Sequence, residues 1–298
     1  MGRYGLIKPT TLKCNKSLLT KQRVGRLYVN SVICLLLTFC ACAVGAIFGD
    51  GNPKNGIEDQ RQLAPAEILQ SVGTIYCDGA LRGTATHVSL SSIAPSSKSS
   101  IILTAAHVIY HKTTGILFET CVYRPQGKRL SSIDFFKISP HDFKPQSKNK
   151  IQQASQDIIF VSLQKKLRGS GLILQEVEDT DNQLLLIGYN QNQDQISISR
   201  DCGQFTSESY ETDLLLLHNC DAGRGASGGP ILDARSGSVI AVHGGTFLIN
   251  SSENNPFGAM QGAIADPEVL INQGRKIDSD VIAQLKRFIA YPSKNSQN

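Results

Sequence analysis

Leu217-His-Asn-Cys-Asp-Ala-Gly-Arg-Gly-Ala-Ser-Gly-Gly-Pro230 is the stretch on which the reading of this chain turns. Its second half, Gly225-Ala226-Ser227-Gly228-Gly229-Pro230, carries the signal. A nucleophilic serine needs a tight turn that exposes its hydroxyl and aims backbone N–H groups at a developing oxyanion. Glycines permit that close, unusual backbone. The amides of Gly225 and Ser227 stand where such an oxyanion hole would form. The other reading is a glycine-rich hairpin turn with an incidental serine, and the motif alone does not separate the two.

Two upstream stretches do. Leu103-Thr-Ala-Ala-His107 ends an apolar run, and a strand end followed by a turn can hold a general base at a fixed angle. A lone histidine is more often a satisfied core residue, and His87, His111, His141, His218 and His243 are read that way by default. Gln156-Asp157-Ile158-Ile-Phe-Val161 puts a carboxylate just before an apolar strand, where it can be buried against an imidazole and fix its tautomer. By itself this is an ordinary turn aspartate. Together the chain order is His107, Asp157, Ser227, one of three known orders of a serine triad. The separations of 50 and 70 residues put base and acid in one half of the chain and nucleophile in the other.

The surrounding sequence reads as all-β. Short apolar runs at residues 72–77, 84–90, 101–105, 117–123, 134–138 and 158–163 are followed by 184–189, 195–200, 213–218, 230–232, 239–243 and 262–264. Turn residues separate them, and no long helical period intervenes, as in a sandwich or barrel. Residues 91–100 form a serine-rich loop. Residues 140–156, polar and lysine-rich, read as a connection between two halves, 71–145 and 155–265. The end differs. Asp278-Ser-Asp280 offers helix N-caps, and Val281, Ile282, Leu285, Phe288 and Ile289 recur at helical spacing before Pro292, which predicts a helix over 278–291.

The chain resembles the trypsin-like serine peptidases, and within them it is similar to the secreted bacterial V8-like glutamyl endopeptidases. The resemblance rests on residues 47–50, 72–77, 83–85, 103–107, 157–158, 187–189, 217–230 and 239–245. It implies a chymotrypsin-like double six-stranded β-barrel with a C-terminal α-helix, hydrolysis of protein or peptide substrates, and no cofactor or catalytic metal. One departure matters. Trypsin-type enzymes have an aspartate directly before the nucleophile, which pairs with the new N-terminal ammonium on activation. Here Ala226 stands there, so no such ion pair is expected. The specificity pocket has two cues of opposite sign. Asp221 lies six residues before Ser227, where trypsin-like enzymes recognise Arg or Lys. His243 sits where glutamyl endopeptidases bind an acidic side chain. His243, Gly244 and Gly245 are also expected on the edge strand that pairs with an extended substrate. Neither charge preference follows.

Composition is that of an ordinary globular protein: 41% hydrophobic, 18% charged and no Trp. The formal charge of +5 comes from the first 46 residues, which hold seven of the 30 Lys and Arg and no acid; the rest is net −2. A basic nucleic-acid-binding stripe is therefore not indicated. The uncharged apolar run over residues 31–48, with Ala41, Ala43 and Ala46 near its end, reads as a signal peptide cleaved after Ala43 or Ala46, or as an uncleaved anchor. Either delivers the remainder to a secreted or periplasmic location, without membrane contact unless the anchor is kept. Residues 47–70 then form an N-terminal arm or short propeptide. Beyond the leader four cysteines remain, an even count that suggests two disulfides. Cys202 and Cys220 lie on neighbouring strand-like runs, a natural hairpin bridge, which leaves Cys77 with Cys121. Tight Cys-x-x-Cys metal spacing is missing. The expected product is a monomeric endopeptidase domain; the rival is a catalytically silent binding protein of the same fold.

Overall fold

The computed structural model describes residues 46, 61–90, 99–111, 114–126, 131–177, 183–204, 213–249, 257–258 and 270–290. The leader up to residue 45, residues 47–60 of the 47–70 arm and the run at 262–264 lie outside the described residues. The elements in chain order are β1 (Gln62–Leu63), α1 (Ala66–Leu69), β2 (Val72–Cys77), β3 (Ala80–Ser89), β4 (Ile101–Thr104), a 3-10 turn (Ala106–Ile109), β5 (Cys121–Pro125), β6 (Ile133–Ile138), α2 (Lys150–Ser155), β7 (Ile159–Leu163) and β8 (Leu172–Ile173). Then come β9 (Gln183–Asn190), β10 (Gln195–Gly203), β11 (Leu215–His218), β12 (Pro230–Asp233), β13 (Val239–Ile249), β14 (Phe257–Gly258), β15 (Leu270–Lys276) and α3 (Ser279–Ala290).

Strands β2, β5, β6, β7, β4 and β3 are hydrogen-bonded in that order, and β3 returns to β2, closing a six-stranded barrel. Its interior is aliphatic, as a chain without Trp requires: Ile75, Ile102, Leu103, Ile159, Phe160 and Leu163 are fully buried. Each such side chain contributes about 1.5–3 kcal/mol of burial. The second sheet runs β1, β10, β9, β12, β13, β15, β11, with β14 on β13. The end of β10, beyond its pairing with the short β1, meets β11 through a bridge between Gln204 and His218, the Cys202–Cys220 disulfide, and the amide of Gly203 donating to Asn219 Oδ1. The second sheet thus wraps round as the first does, with α3 following it: this is the chymotrypsin-like fold. The other cysteine pair, Cys77–Cys121, also bridges adjacent strands.

The helix end follows the sequence reading closely. Asp278 Oδ1 caps the helix by accepting from the Val281 amide at 2.9 Å, and Val281, Leu285 and Phe288 are buried. The division into halves differs. β7 pairs with both β4 and β6 in the first barrel, so residues 140–156 are an excursion within that barrel rather than the link between halves. The chain crosses after β8, where Leu174 bridges Val239. The second barrel also extends past residue 265, to β15. That strand, Leu-Ile-Asn-Gln-Gly-Arg-Lys, carries buried Asn272, Gln273 and Arg275, so its polarity hid it. From Arg61 onward the N-terminal arm is part of the second sheet: Gln62 and Leu63 pair with Ile198 and Ser197.

Candidate active site

Strand register explains how His107 and Asp157 meet. Thr104 at the end of β4 is paired with Ile159 at the start of β7. His107 lies three residues beyond the first and Asp157 two before the second, so the antiparallel pair delivers both to one end of the barrel. Asp157 is 5% exposed and grips His107 twice. Oδ1 accepts the His107 backbone N–H at 2.8 Å, and Oδ2 lies 2.5 Å from the ring Nδ1. An ionised carboxylate only accepts, so Nδ1 carries the proton and Nε2 keeps its lone pair. That is the tautomer a general base needs.

Ser227, 7% exposed, sits on a turn wedged between the barrels. Its carbonyl accepts the Thr84 amide at 2.8 Å, and Gly228 N–H donates to His243 O at 2.8 Å. Gly228 has φ +84°, and a Cβ there would overlap the Thr104 hydroxyl and the Thr84 carbonyl. Glycine is therefore required where the turn presses against the strand that carries His107. A Cβ at Gly83 would meet both Ser227 O and Val108, so the serine turn and the histidine turn are direct neighbours. Ser227 and His107 are not hydrogen-bonded to each other in this structure.

The turn's amides are aimed by their neighbours. The Arg224 carbonyl accepts from Gln191 N–H at 2.8 Å, and the Ala226 carbonyl from Gly229 N–H at 2.9 Å. In a trans peptide the N–H points opposite the C=O, so the Gly225 amide faces away from Gln191 and the Ser227 amide away from Gly229. Gly225 has φ +100°, and its carbonyl is held by the Thr84 hydroxyl at 2.8 Å. That same hydroxyl accepts Tyr189 N–H at 2.9 Å. Ala226 is buried against Gly188, so the position before Ser227 carries no charge.

The pocket candidates divide. Asp221 and His243 are both buried. The Asp221 amide donates to Ser199 Oγ at 2.9 Å. His243 Nδ1 lies 3.3 Å from His218 Nε2, and His218 Nδ1 accepts the Cys220 amide at 3.2 Å. Accepting at Nδ1 puts the proton of neutral His218 on Nε2, which then donates to His243 and leaves the His243 proton on its own Nε2. Burial and the nearby His107 push His243 down to about 3; burial, then His243, hold His218 well below the ordinary imidazole value. Gly244 is the extra residue of a bulge between His243 and Gly245, and a Cβ there would overlap the Gln273 side chain.

Sequence reasoning missed three supports: Thr84, the imidazole partner His218, and the Asn190–Arg61 pair on the far side of the turn. Thr84 lay inside a quoted stretch, but its role as a stitch between barrels has no local signature. Among the described residues no helix is long and apolar enough to cross a membrane, and no cluster of His, Cys, Asp or Glu would hold a metal.

The sequence profile of the trypsin-like peptidase domain matches residues 85–242, more than half of the chain. The chain belongs to the trypsin-like peptidase family. Solved structures of similar fold include a Glu endopeptidase bound to MPD (15% identity, 78% of this chain and 98% of that one, TM-score 0.55). A thermostable serine protease from an extremophilic microorganism is comparable (12%, 75% and 98%, 0.54). So is the protease Anisep from Arthrobacter nicotinovorans (13%, 74% and 96%, 0.52). At these identities the likeness speaks for the peptidase fold alone. The sequence matches no curated protein.

Proposed function

We propose that this peptidase is a secreted serine endopeptidase working through Ser227, His107 and Asp157. Ser227 Oγ attacks the scissile carbonyl carbon as its proton passes to His107 Nε2. Asp157 holds the ring and stabilises the imidazolium. The carbonyl oxygen, now an oxyanion, is received by the amides of Gly225 and Ser227. Collapse breaks the C–N bond, His107 returns the proton to the leaving amine, and water resolves the acyl-enzyme by the same steps.

The observation that carries this reading is the double grip of Asp157 on His107 beside the Ser227 turn, which meets the histidine turn at Gly83. The test is a peptide library incubated with the secreted protein and read by mass spectrometry. Cleavage by the wild type, abolished in Ser227→Ala, is expected; an intact library with folded protein contradicts it. The same experiment reads the pocket of Asp221, His243, Gly244 and Gly245. A preference for acidic residues before the cut assigns it to the His243 N–H and places the enzyme in the V8-like branch. A preference for Lys or Arg assigns it to Asp221.

The missing hydrogen bond between Ser227 and His107 is what favours the alternative, a catalytically silent binding protein. Such bonds are often long in a free enzyme and tighten on substrate, so we favour catalysis.

Export rests on the basic-then-apolar leader and the two disulfides. Ala46 docks in the second barrel: its N–H donates to Asn272 Oδ1 at 3.1 Å and its carbonyl accepts from the Ala222 amide at 2.9 Å. Cleavage after Ala43 keeps these bonds and cleavage after Ala46 removes them. The mature protein is therefore expected to begin at Val44, which N-terminal sequencing reads directly.

A further inference from the structure

Arg61 is a buried cation, 5% exposed, in the N-terminal arm just before β1. One guanidinium nitrogen donates to Asn190 Oδ1 at 2.5 Å, and the other to Asn192 Oδ1 at 3.3 Å. These two asparagines flank Gln191, the residue whose amide holds the Arg224 carbonyl and so turns the Gly225 N–H away from that hairpin. Asn190 Oδ1 also accepts the Gly223 amide at 2.6 Å, and its own amide donates to Gly188 O and Ser197 Oγ. The Gly223 carbonyl accepts from Ala226 N–H at 3.1 Å. Gly223 lies so close that a Cβ would overlap the Arg61 guanidinium. One planar, permanently charged group therefore fixes both ends of the loop behind the hole.

We propose that Arg61 is a positioning residue which keeps the oxyanion hole in its donor-outward orientation. It does the work that a buried aspartate–ammonium pair beside the nucleophile would do, a pair that Ala226 rules out. This rests on the serine-peptidase reading above. It implies that the arm from Arg61 on is part of the working enzyme and not a removable propeptide. Without the guanidinium, Asn190 and Asn192 lose their common anchor. Gln191 can then release the Arg224 carbonyl, and the peptide can rotate so that a carbonyl, not an N–H, faces the substrate oxygen.

The test compares wild type, Arg61→Ala and Arg61→Lys as full chains on a peptide amide that the wild type cleaves, with a peptide boronate as transition-state mimic. Arg61→Ala is expected to lower kcat roughly 10- to 100-fold, to leave KM within about twofold, and to weaken boronate binding by the same factor as kcat. Added guanidinium ion restores part of kcat. Arg61→Lys, which reaches one asparagine but not both, falls between. If Arg61→Ala does not fold, Gly223→Ala, which pushes on the loop from the other side, is expected to show the same kcat and boronate losses. Wild-type kcat in folded Arg61→Ala overturns the proposal. So does a loss confined to melting temperature with no rescue by guanidinium. An inert wild type overturns the peptidase reading itself, and this proposal with it.

Discussion

The two halves of the site are built in different ways. On the first barrel, His107 and Asp157 touch directly, delivered by the pairing of β4 with β7. On the second, the Ser227 turn is backbone whose orientation depends on side chains brought from afar: Thr84 from the first barrel, Asn190 from β9, Arg61 from the arm. The His107–Asp157 pair is a contact that two short motifs specify between them. The Ser227 turn has a motif that specifies its shape, but the direction of its amides is set by residues outside the motif.

If the first half is a direct contact, breaking it has the largest effect. Asp157→Asn keeps the geometry but frees the wrong imidazole tautomer, and kcat should fall about 10⁴-fold, measured by steady-state hydrolysis at neutral pH. The second half should fail more gradually, because several supports share the load. Thr84→Val removes the donor to the Gly225 carbonyl and the acceptor for Tyr189 N–H. It should cost about 1–3 kcal/mol of stability, read by denaturant unfolding, with a smaller loss of kcat than Asp157→Asn. A kcat loss equal to that of Asp157→Asn would show that the two halves are not built differently.

The pH dependence of stability also separates the barrels. His243 is held down at about 3 and His87 at about 4, by burial and then Lys166. Between the ordinary imidazole value near 6.5 and these values, the unfolded chain binds protons that the native state does not. Stability therefore falls as pH drops through that window, by up to about 1.4 kcal/mol per pH unit for each residue. Melting temperatures from pH 7 to 4 measure it. His243→Asn should flatten the slope through the second barrel, and His87→Asn through the first.

Much of the fold was legible because it rests on local signals: apolar runs between turns, and the capped α3 face of Val281, Leu285 and Phe288. Which strand belongs to which barrel was not, since pairing is non-local; β7 reads the same whether it closes the first barrel or opens the second. β15 was missed because Asn272 and Arg275 are buried through hydrogen bonds to Ala46 and Ser155, which sequence periodicity does not register. At the site, His107, Asp157 and Ser227 stood out through motif and order. Arg61 did not, because a single arginine in a polar arm and two asparagines in a hairpin turn each look like solvated surface.

The most direct measurement is labelling of the purified, disulfide-intact protein with a fluorophosphonate, followed by mass spectrometry of its peptides. The account predicts a single stoichiometric adduct on Ser227, absent in Ser227→Ala and strongly slowed in Asp157→Asn. A folded protein that stays unlabelled, or an adduct on any other residue, would contradict it.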